Sequence, residues 1–206
     1  MNSEDDAARR KRISVRARRM VYEGRCTVEE ITVDQDRSDG GQQTIVREVV
    51  RYGRNVVAIL PVDRRRKCLL LCRQLRVPVM ADQDDPFPWE VCAGRLEEGE
   101  DVLDGARREL MEEFGVEAQG LKLACSSYSS PGILGSRVDH FLCDYTGIER
   151  QRGGGLVEEG EDITVHELTC SEVAQLWRQG AIRDAKALIL LQHLMLTEPE
   201  LFSGAD

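Results

Sequence analysis

Residues 94–116 read GRLEEGEDVLDGARRELMEEFGV, and their order of glycines, acids and apolar residues decides the fold. The pattern predicts a helix from about residue 101 to 114, ended by Gly115 in the φ > 0 conformation that glycine tolerates. At about 100° per residue, Glu109, Glu112 and Glu113 share an arc of roughly 100°. Leu103, Ala106, Leu110 and Phe114 fill a neighbouring arc that must pack into a core, so the carboxylates stand at the edge of the buried face. Like charges at this spacing cost about 0.2–0.5 kcal/mol per pair, and more when partly desolvated. A hard divalent cation relieves that repulsion, and oxygen-only ligands select Mg²⁺ or Mn²⁺ over zinc. Gly105, one turn before Glu109, leaves room for a ligand to approach. The plain alternative is an acidic, solvated helix face, and the three glutamates alone do not decide between the two.

Around this helix the chain is of ordinary globular make-up. It has 206 residues, 41% hydrophobic and 32% charged, enough for a core and too apolar for a disordered chain. The net charge of −9 argues against a general nucleic-acid or membrane-surface binder. Neither a membrane-spanning apolar run nor a signal-peptide h-region is expected. Seven cysteines without a CxxC pair, mostly inside apolar runs, fit a reduced cytoplasmic protein in which cysteine acts as a small hydrophobe.

Residues 1–19, with seven basic and three acidic side chains, read as a flexible basic arm, with any order expected as helix from Arg10 onward. Alternating stretches at 21–26, 27–33 and 44–51 predict an N-terminal β region over residues 20–54. The main domain, 55–206, starts with apolar strands at 55–62 and 67–76 joined by a basic turn, read as a solvated loop. Further strands are expected at 89–93, 121–127, 138–145 and 163–169. Helices are expected from a cap at Ser171 to Arg178, and from a cap at Asp184 to about Leu196. The fold class is therefore α/β, a sandwich around a mixed sheet with an antiparallel β appendage.

The whole string at 94–116 matches the Nudix box, G-x5-E-x7-R-E-U-x-E-E-x-G-U with U apolar. Gly94, Glu100, Arg108, Glu109, Leu110, Glu112, Glu113, Gly115 and Val116 fill every fixed position. A chance match in a chain of this length is on the order of 10⁻⁶. The sequence resembles a Nudix hydrolase. That resemblance implies an α/β/α sandwich and a loop–helix–loop that binds Mg²⁺ (or Mn²⁺) and cleaves a nucleoside diphosphate linked to another moiety. Glu109 and Glu113 are then the principal metal ligands, Glu112 ligates a further ion or orients water, and the Ala93 carbonyl is the backbone ligand. Arg108 would hold the glutamates, and Glu100 would be a structural partner within the loop.

Outside the box, from about residue 22 to 194, the resemblance is to ADP-ribose pyrophosphatases and nucleotide-sugar (GDP-mannose type) hydrolases. It rests on PWEVCAG at 88–94, on Pro131 fifteen residues after Val116, on EEGEDITVHEL at 158–168 and on GAIRDAKALILLQHL at 180–194. It implies that Glu159 is the base that activates water, with Glu161 its competitor, on a glycine-flanked loop that swings in when substrate arrives. Arg47 and Arg76 match arginines that contact the substrate's phosphates. The N-terminal β region would reach across a homodimer and stack on the nucleobase, with Tyr22 as candidate. One departure stands out. Where this group often reads SPGGxxE around the distal sugar, Ile133 and Ser136 replace the second glycine and the glutamate. Asp139 is the nearest acid to take over, if strand alternation turns it the right way.

The expected activity is hydrolysis of ADP-ribose or a related nucleoside diphosphate sugar to nucleoside monophosphate and sugar phosphate. The competing reading is a non-catalytic Nudix module that binds a nucleotide sugar as a sensor. A third is action on oxidised nucleotides or dinucleoside polyphosphates. His140, His166 and His193 lack metal-ligand spacing, and Trp89 and Trp177 read as packing residues.

Overall fold

The structure, a computed structural model, describes residues 12–53 and 55–203, without the side chain of residue 159. What was expected of residues 1–11 lies outside the described residues. Two compact units form: the N-terminal residues up to 53 with 128–136, and residues 55–127 with 137–203.

The first unit is an antiparallel meander of β1 (Ile13–Glu23), β2 (Thr27–Asp36) and β3 (Gln42–Arg51). Strand β1 begins inside the stretch expected to be a basic arm, which corrects that boundary and the helix expected from Arg10. The charges that disguised it are cross-strand partners. Arg16 meets Asp34 at 3.5 Å, Arg18 meets Glu29 at 3.4 Å and Arg19 meets Glu30 at 3.0 Å. Register shifts between Val15 and Ala17 and between Met20 and Tyr22 also break the two-residue alternation that betrays a strand. Every residue of β1 is exposed, and Ile31 of β2 is the unit's one buried apolar side chain among the described residues. Residues 128–136 join this unit where the Val50 N–H donates to the Ile133 carbonyl at 3.0 Å.

The second unit is built on β4 (Val56–Asp63), β5 (Cys68–Arg73), β6 (Cys92–Arg95), β7 (Gln119–Tyr128), β8 (Arg137–Asp144) and β9 (Thr164–Thr169). They form a mixed sheet in the order β7-β8-β4-β5-β9, with β6 also on β4. Strand β4 is the parallel neighbour of β8 and is buried on both faces, hence its almost unbroken apolar run. Pro61 sits in it without breaking the ladder. On that edge β6 pairs up to Ile59 and β5 begins at Val62, so the missing N–H falls between two partners.

Four helices complete this unit: α1 (Val77–Ala81), α2 (Val102–Glu109, continued by a π turn over Leu110–Phe114), α3 (Cys170–Arg178) and α4 (Ala185–Thr197). Side chains of β4 alternate between two cores. Val57 and Ile59 pack with Ala106, Leu110 and Phe114 under α2, while Ala58, Leu60 and Val62 pack with Leu190, Leu191 and Leu194 under α4. The sheet is thus sandwiched between helices, as the apolar periodicities require.

Several boundaries differ from expectation. Strand β5 stops at Arg73, because Pro78 seeds the short α1 that was not foreseen. Strand β6 starts at Cys92, while Glu90 makes an isolated bridge to Cys72. Helix α3 is capped by Thr169, not Ser171. The Glu172 N–H donates to the Thr169 hydroxyl at 3.2 Å and the Glu172 carboxylate accepts the Thr169 N–H at 2.7 Å, a reciprocal capping box. Asp184 caps α4 as expected, accepting from the Ala187 N–H at 2.9 Å.

The basic turn after β4 is exposed at Arg65, Arg66 and Lys67, as expected, and is also anchored by ion pairs. Asp63, 1% exposed, accepts the Arg65 and Arg66 N–H groups at 3.0 and 2.8 Å and the Arg66 Nε at 2.6 Å. Arg66 also grips both oxygens of Glu167, which accepts the Tyr145 hydroxyl at 3.2 Å. Arg64 binds Glu198 in the same two-pronged way. These pairs tie the hairpin to β9 and to the C-terminal segment. All seven cysteines are free. Among the described residues no helix is long and apolar enough to cross a membrane.

Candidate active site

The site lies where α2 crosses β6. Asp101 caps α2 by accepting the Leu103 N–H at 2.9 Å, and Gly115 closes it at φ 65°. Between them the helix is not uniform, as it was expected to be. From Leu110 it widens, the Gly115 N–H reaching back to the Leu110 and Met111 carbonyls. The wider turn splits the glutamates that an ideal helix would group on one arc. Glu109 and Glu113 are buried, at 9% and 2% exposure, while Glu112 stays half-exposed.

Any side chain at residue 94 would displace the Glu109 carboxylate. A Cβ there would overlap the Glu109 carboxylate, which lies directly over the glycine. Glu113 Oε2 accepts the Ala93 N–H at 3.0 Å. Arg108 does what the resemblance implied. Its Nη1 donates to Glu109 at 3.0 Å and to Glu112 at 3.1 Å, and its Nε and Nη2 hold Glu100 at 2.9 and 3.0 Å. Glu100 also accepts the Glu97 N–H, and these donors, Arg108 first, hold its carboxyl down to about 2. Gly105 does not leave the open space expected of it. It is buried, and a Cβ would meet the Leu96 and Glu100 side chains.

Burial pushes the Glu109 carboxyl up to about 7 against the pull of Arg108, with Glu112 and Glu161 adding repulsion. Burial likewise lifts Glu113 to about 8, against the Ala93 donor and with Glu109 and Glu161 opposing ionisation. Arg108 is shared among Glu100, Glu109 and Glu112, and among the described residues no side-chain cation pairs with Glu113, so the two buried oxygen donors fit a hard divalent cation. Among the described residues no three carboxylate, imidazole or thiol groups converge as a ready-made cage, so backbone, water and substrate oxygens must complete any coordination.

The acidic loop is docked onto the end of this helix. Gln151 N–H donates to the Gly115 carbonyl at 2.7 Å, Gly154 N–H to Glu113 at 2.8 Å and Gly155 N–H to Glu112 at 3.2 Å. These bonds satisfy carbonyls that the end of the helix leaves unpaired. The glycine run lets the two backbones approach, since a Cβ at Gly153 would overlap the Glu113 carbonyl oxygen. One at Gly155 would overlap the Glu161 carboxylate, which accepts the Leu156 N–H at 3.0 Å. Glu161 is thereby brought within electrostatic reach of Glu109 and Glu113. Glu159 closes a short 3₁₀ turn (Val157–Glu159) two residues earlier.

Arg76 lies close enough to Glu113 to feel its charge, and Glu90 holds it in a two-pronged ion pair, Nε to Oε1 at 2.7 Å. Arg47, Tyr22 and Pro131 belong to the other unit. There Arg47 donates to the Val46 carbonyl at 2.8 Å, Tyr22 is exposed with its ring against Gly24, and Pro131 sits in an exposed turn.

The NUDIX domain family matches residues 51–186. The chain belongs to the Nudix hydrolase family. Membership carries with it the family's general use of a divalent metal. A GDP-mannose pyrophosphatase of Cronobacter sakazakii is 36% identical over 179 residues, 86% of this chain and 92% of that one. A GDP-mannose pyrophosphatase of Escherichia coli is 34% identical over 172 residues, 83% of this chain and 88% of the other. A crystal structure of an ADP compounds hydrolase superposes with a TM-score of 0.69 at 19% identity, over 95% of this chain and 97% of that one. That likeness confirms the Nudix fold with its three-stranded antiparallel and mixed sheets.

Reading the sequence missed one feature of the Nudix site, the docking of the loop on the helix, although the GGG run at 153–155 marks a close backbone approach.

Proposed function

We propose that this Nudix enzyme hydrolyses the phosphoanhydride bond of a nucleoside diphosphate sugar to nucleoside monophosphate and sugar phosphate. GDP-mannose is the first candidate, because both relatives carry that name, and ADP-ribose the second. The observation that carries the reading is the pair of buried, charge-deficient carboxylates Glu109 and Glu113 over the Gly94 cradle. With Glu112 and the Ala93 carbonyl they would hold Mg²⁺ or Mn²⁺. The bound cation supplies neutralisation of the diphosphate and a lowered pKa for the attacking water. Arg108 keeps the carboxylates apart and oriented. Glu159 or Glu161 takes the proton as water oxygen bonds to phosphorus and the bridging P–O bond breaks. The electrostatic reach of Glu161 to the buried pair supports it as a candidate alongside Glu159. Arg76, and Arg47 from the N-terminal unit, bind phosphate oxygens, with Tyr22 and Pro131 shaping the nucleobase and sugar ends.

The same proposal includes a homodimer. The three-stranded unit exposes Ile13, Val15, Met20, Val21 and Tyr22 along β1 and has almost no core of its own, so a partner surface would complete it. A cytoplasmic location, supported by seven free cysteines, and the absence of nucleic-acid or membrane partners, supported by the net charge of −9, belong to it too. The test is release of monophosphate and sugar phosphate from a panel of GDP- and ADP-sugars, with Mg²⁺ and Mn²⁺ varied. Turnover of at least one, lost on chelation, is expected. Calorimetry showing tight binding without cleavage of any of them would replace the enzyme with a sensor.

A further inference from the structure

Glu90 stands two residues before β6, and its neighbours settle where it points. It forms an antiparallel bridge with Cys72, its N–H donating at 2.9 Å and its carbonyl accepting at 2.8 Å. Bridged residues share a face of the sheet, and Cys72 belongs to the core under α2. Cys92 lies in that core too, and Gly94 faces it, since a Cβ there would overlap the Glu109 carboxylate. Residues 90, 92 and 94 therefore line one row on the box-helix side, about 13 Å from end to end. Glu113 is tied to the same strand between those ends, at the Ala93 N–H.

At the head of this row Glu90 grips Arg76 side-on, taking Nε at 2.7 Å and Nη2 at 2.5 Å. The Glu90 side chain is 4% exposed and that of Arg76 38%, so the acid is the buried anchor and the guanidinium reaches the surface. The Arg76 backbone is pinned as well. Its N–H donates to the Pro86 carbonyl at 2.8 Å, and its carbonyl accepts the Met80 N–H at 3.0 Å. Nη1 has no hydrogen-bond partner among the described residues. The end-on edge of the fork, Nη1 with the second hydrogen of Nη2, is left for one further two-pronged acceptor, a geometry that suits phosphate.

We propose that Glu90 is a positioning residue: it holds Arg76 off Glu109 and Glu113, which keeps that pair for a cation, and presents the free edge of the guanidinium to a substrate phosphate. The inference rests on the reading that those glutamates hold metal and that Arg76 binds phosphate. Arg108 is already divided among three carboxylates, and Glu113 pairs with no side-chain cation among the described residues. An unrestrained arginine on the same side of the sheet would be drawn to such acids and would stand where the cation belongs. A buried carboxylate that takes two of its nitrogens prevents this without removing its charge from the site.

The experiment is a Mn²⁺ titration of the full chain, without substrate, followed by electron paramagnetic resonance. Glu90→Gln keeps the shape but cannot accept both guanidinium donors, and is expected to weaken Mn²⁺ binding about 10-fold. Arg76→Met alone should stay within about 3-fold of the original chain. Glu90→Gln combined with Arg76→Met should return to that range, because the weakening acts through the released arginine. Unaltered Mn²⁺ binding by Glu90→Gln, or a double variant as weak as Glu90→Gln alone, would overturn the proposal. With nucleotide sugar, Glu90→Gln and Arg76→Met should each raise KM about 10-fold, more than they lower kcat. An unchanged KM in both would overturn the phosphate role. Thermal unfolding in chelator checks that each variant folds, with Glu90→Ala used if Gln does not. An original chain that binds Mn²⁺ but cleaves no nucleotide sugar refutes the proposed reaction and leaves the Mn²⁺ titrations to decide this inference. One that binds no Mn²⁺ overturns both.

Discussion

Two acidic clusters in the same unit bury their carboxylates equally well and treat them oppositely. Asp63 is 1% exposed and Glu113 is 2% exposed. Burial pushes both carboxyls up, yet Asp63 ends below its ordinary value, because the N–H groups of Arg66 and Arg65 and the Arg66 guanidinium outweigh it. Glu113 accepts one backbone N–H, and Glu109 and Glu161 oppose its ionisation with like charge, so it ends at about 8. The hairpin cluster is closed electrostatically and serves stability. The cluster on α2 has one guanidinium, Arg108, among four carboxylates, a shortage of positive charge that suits a cation.

The largest expected effect comes from removing the open cluster's charge. Glu113→Gln should lower turnover of the cleaved nucleotide sugar by about three orders of magnitude or more while the fold persists. Near-normal turnover in that variant contradicts the assignment.

The next effect is on stability against pH. Both Glu109 and Glu113 carry folded values above the ordinary 4.5, so the stabilisation they contribute is complete below about pH 4.5 and is lost as pH rises through 7 to 8. Scanning calorimetry in chelator should show Tm falling over that range, with Mg²⁺ restoring most of it at the alkaline end. Glu113→Gln should flatten the slope. A metal-free Tm that ignores pH, or a slope that survives the substitution, breaks the contrast between the clusters.

Opening the closed cluster should cost less. Arg66→Met leaves Asp63 buried with only its backbone donors. Because Arg66 and Glu167 are partly exposed, the loss is about 2 kcal/mol, roughly 5 °C in Tm, with Mn²⁺ affinity unchanged. The smallest effect sharpens the comparison. Glu161→Gln removes one repelling charge from the buried pair and should move the chelated Tm–pH curve to lower loss at pH 8, by less than Glu113→Gln does.

Much of this was legible in the residues. The apolar run of β4, the amphipathic α2, the Asp184 cap and the complete box each follow from local rules of period, capping and motif. Strand β1 was not legible, because its arginines are satisfied by acids on β2 and its bulges break the alternation. Nor was the cap of α3, since Thr169 and Ser171 both suit a cap and only backbone geometry chooses between them. Glu159 and Glu161 were close competitors on the page of sequence. The glycine clamp on the helix end holds the loop that carries both close to the end of the box helix.

By itself, the sequence determined the Nudix family, the sandwich class and which acids share one side of the box helix, because helix period, strand alternation and box spacing are properties of the chain alone. Tertiary structure decided which of those acids are short of countercharge and which arginines are already taken. Those facts depend on what segments distant in sequence place next to one another, and electrostatic energy is set by neighbours and burial rather than by order along the chain.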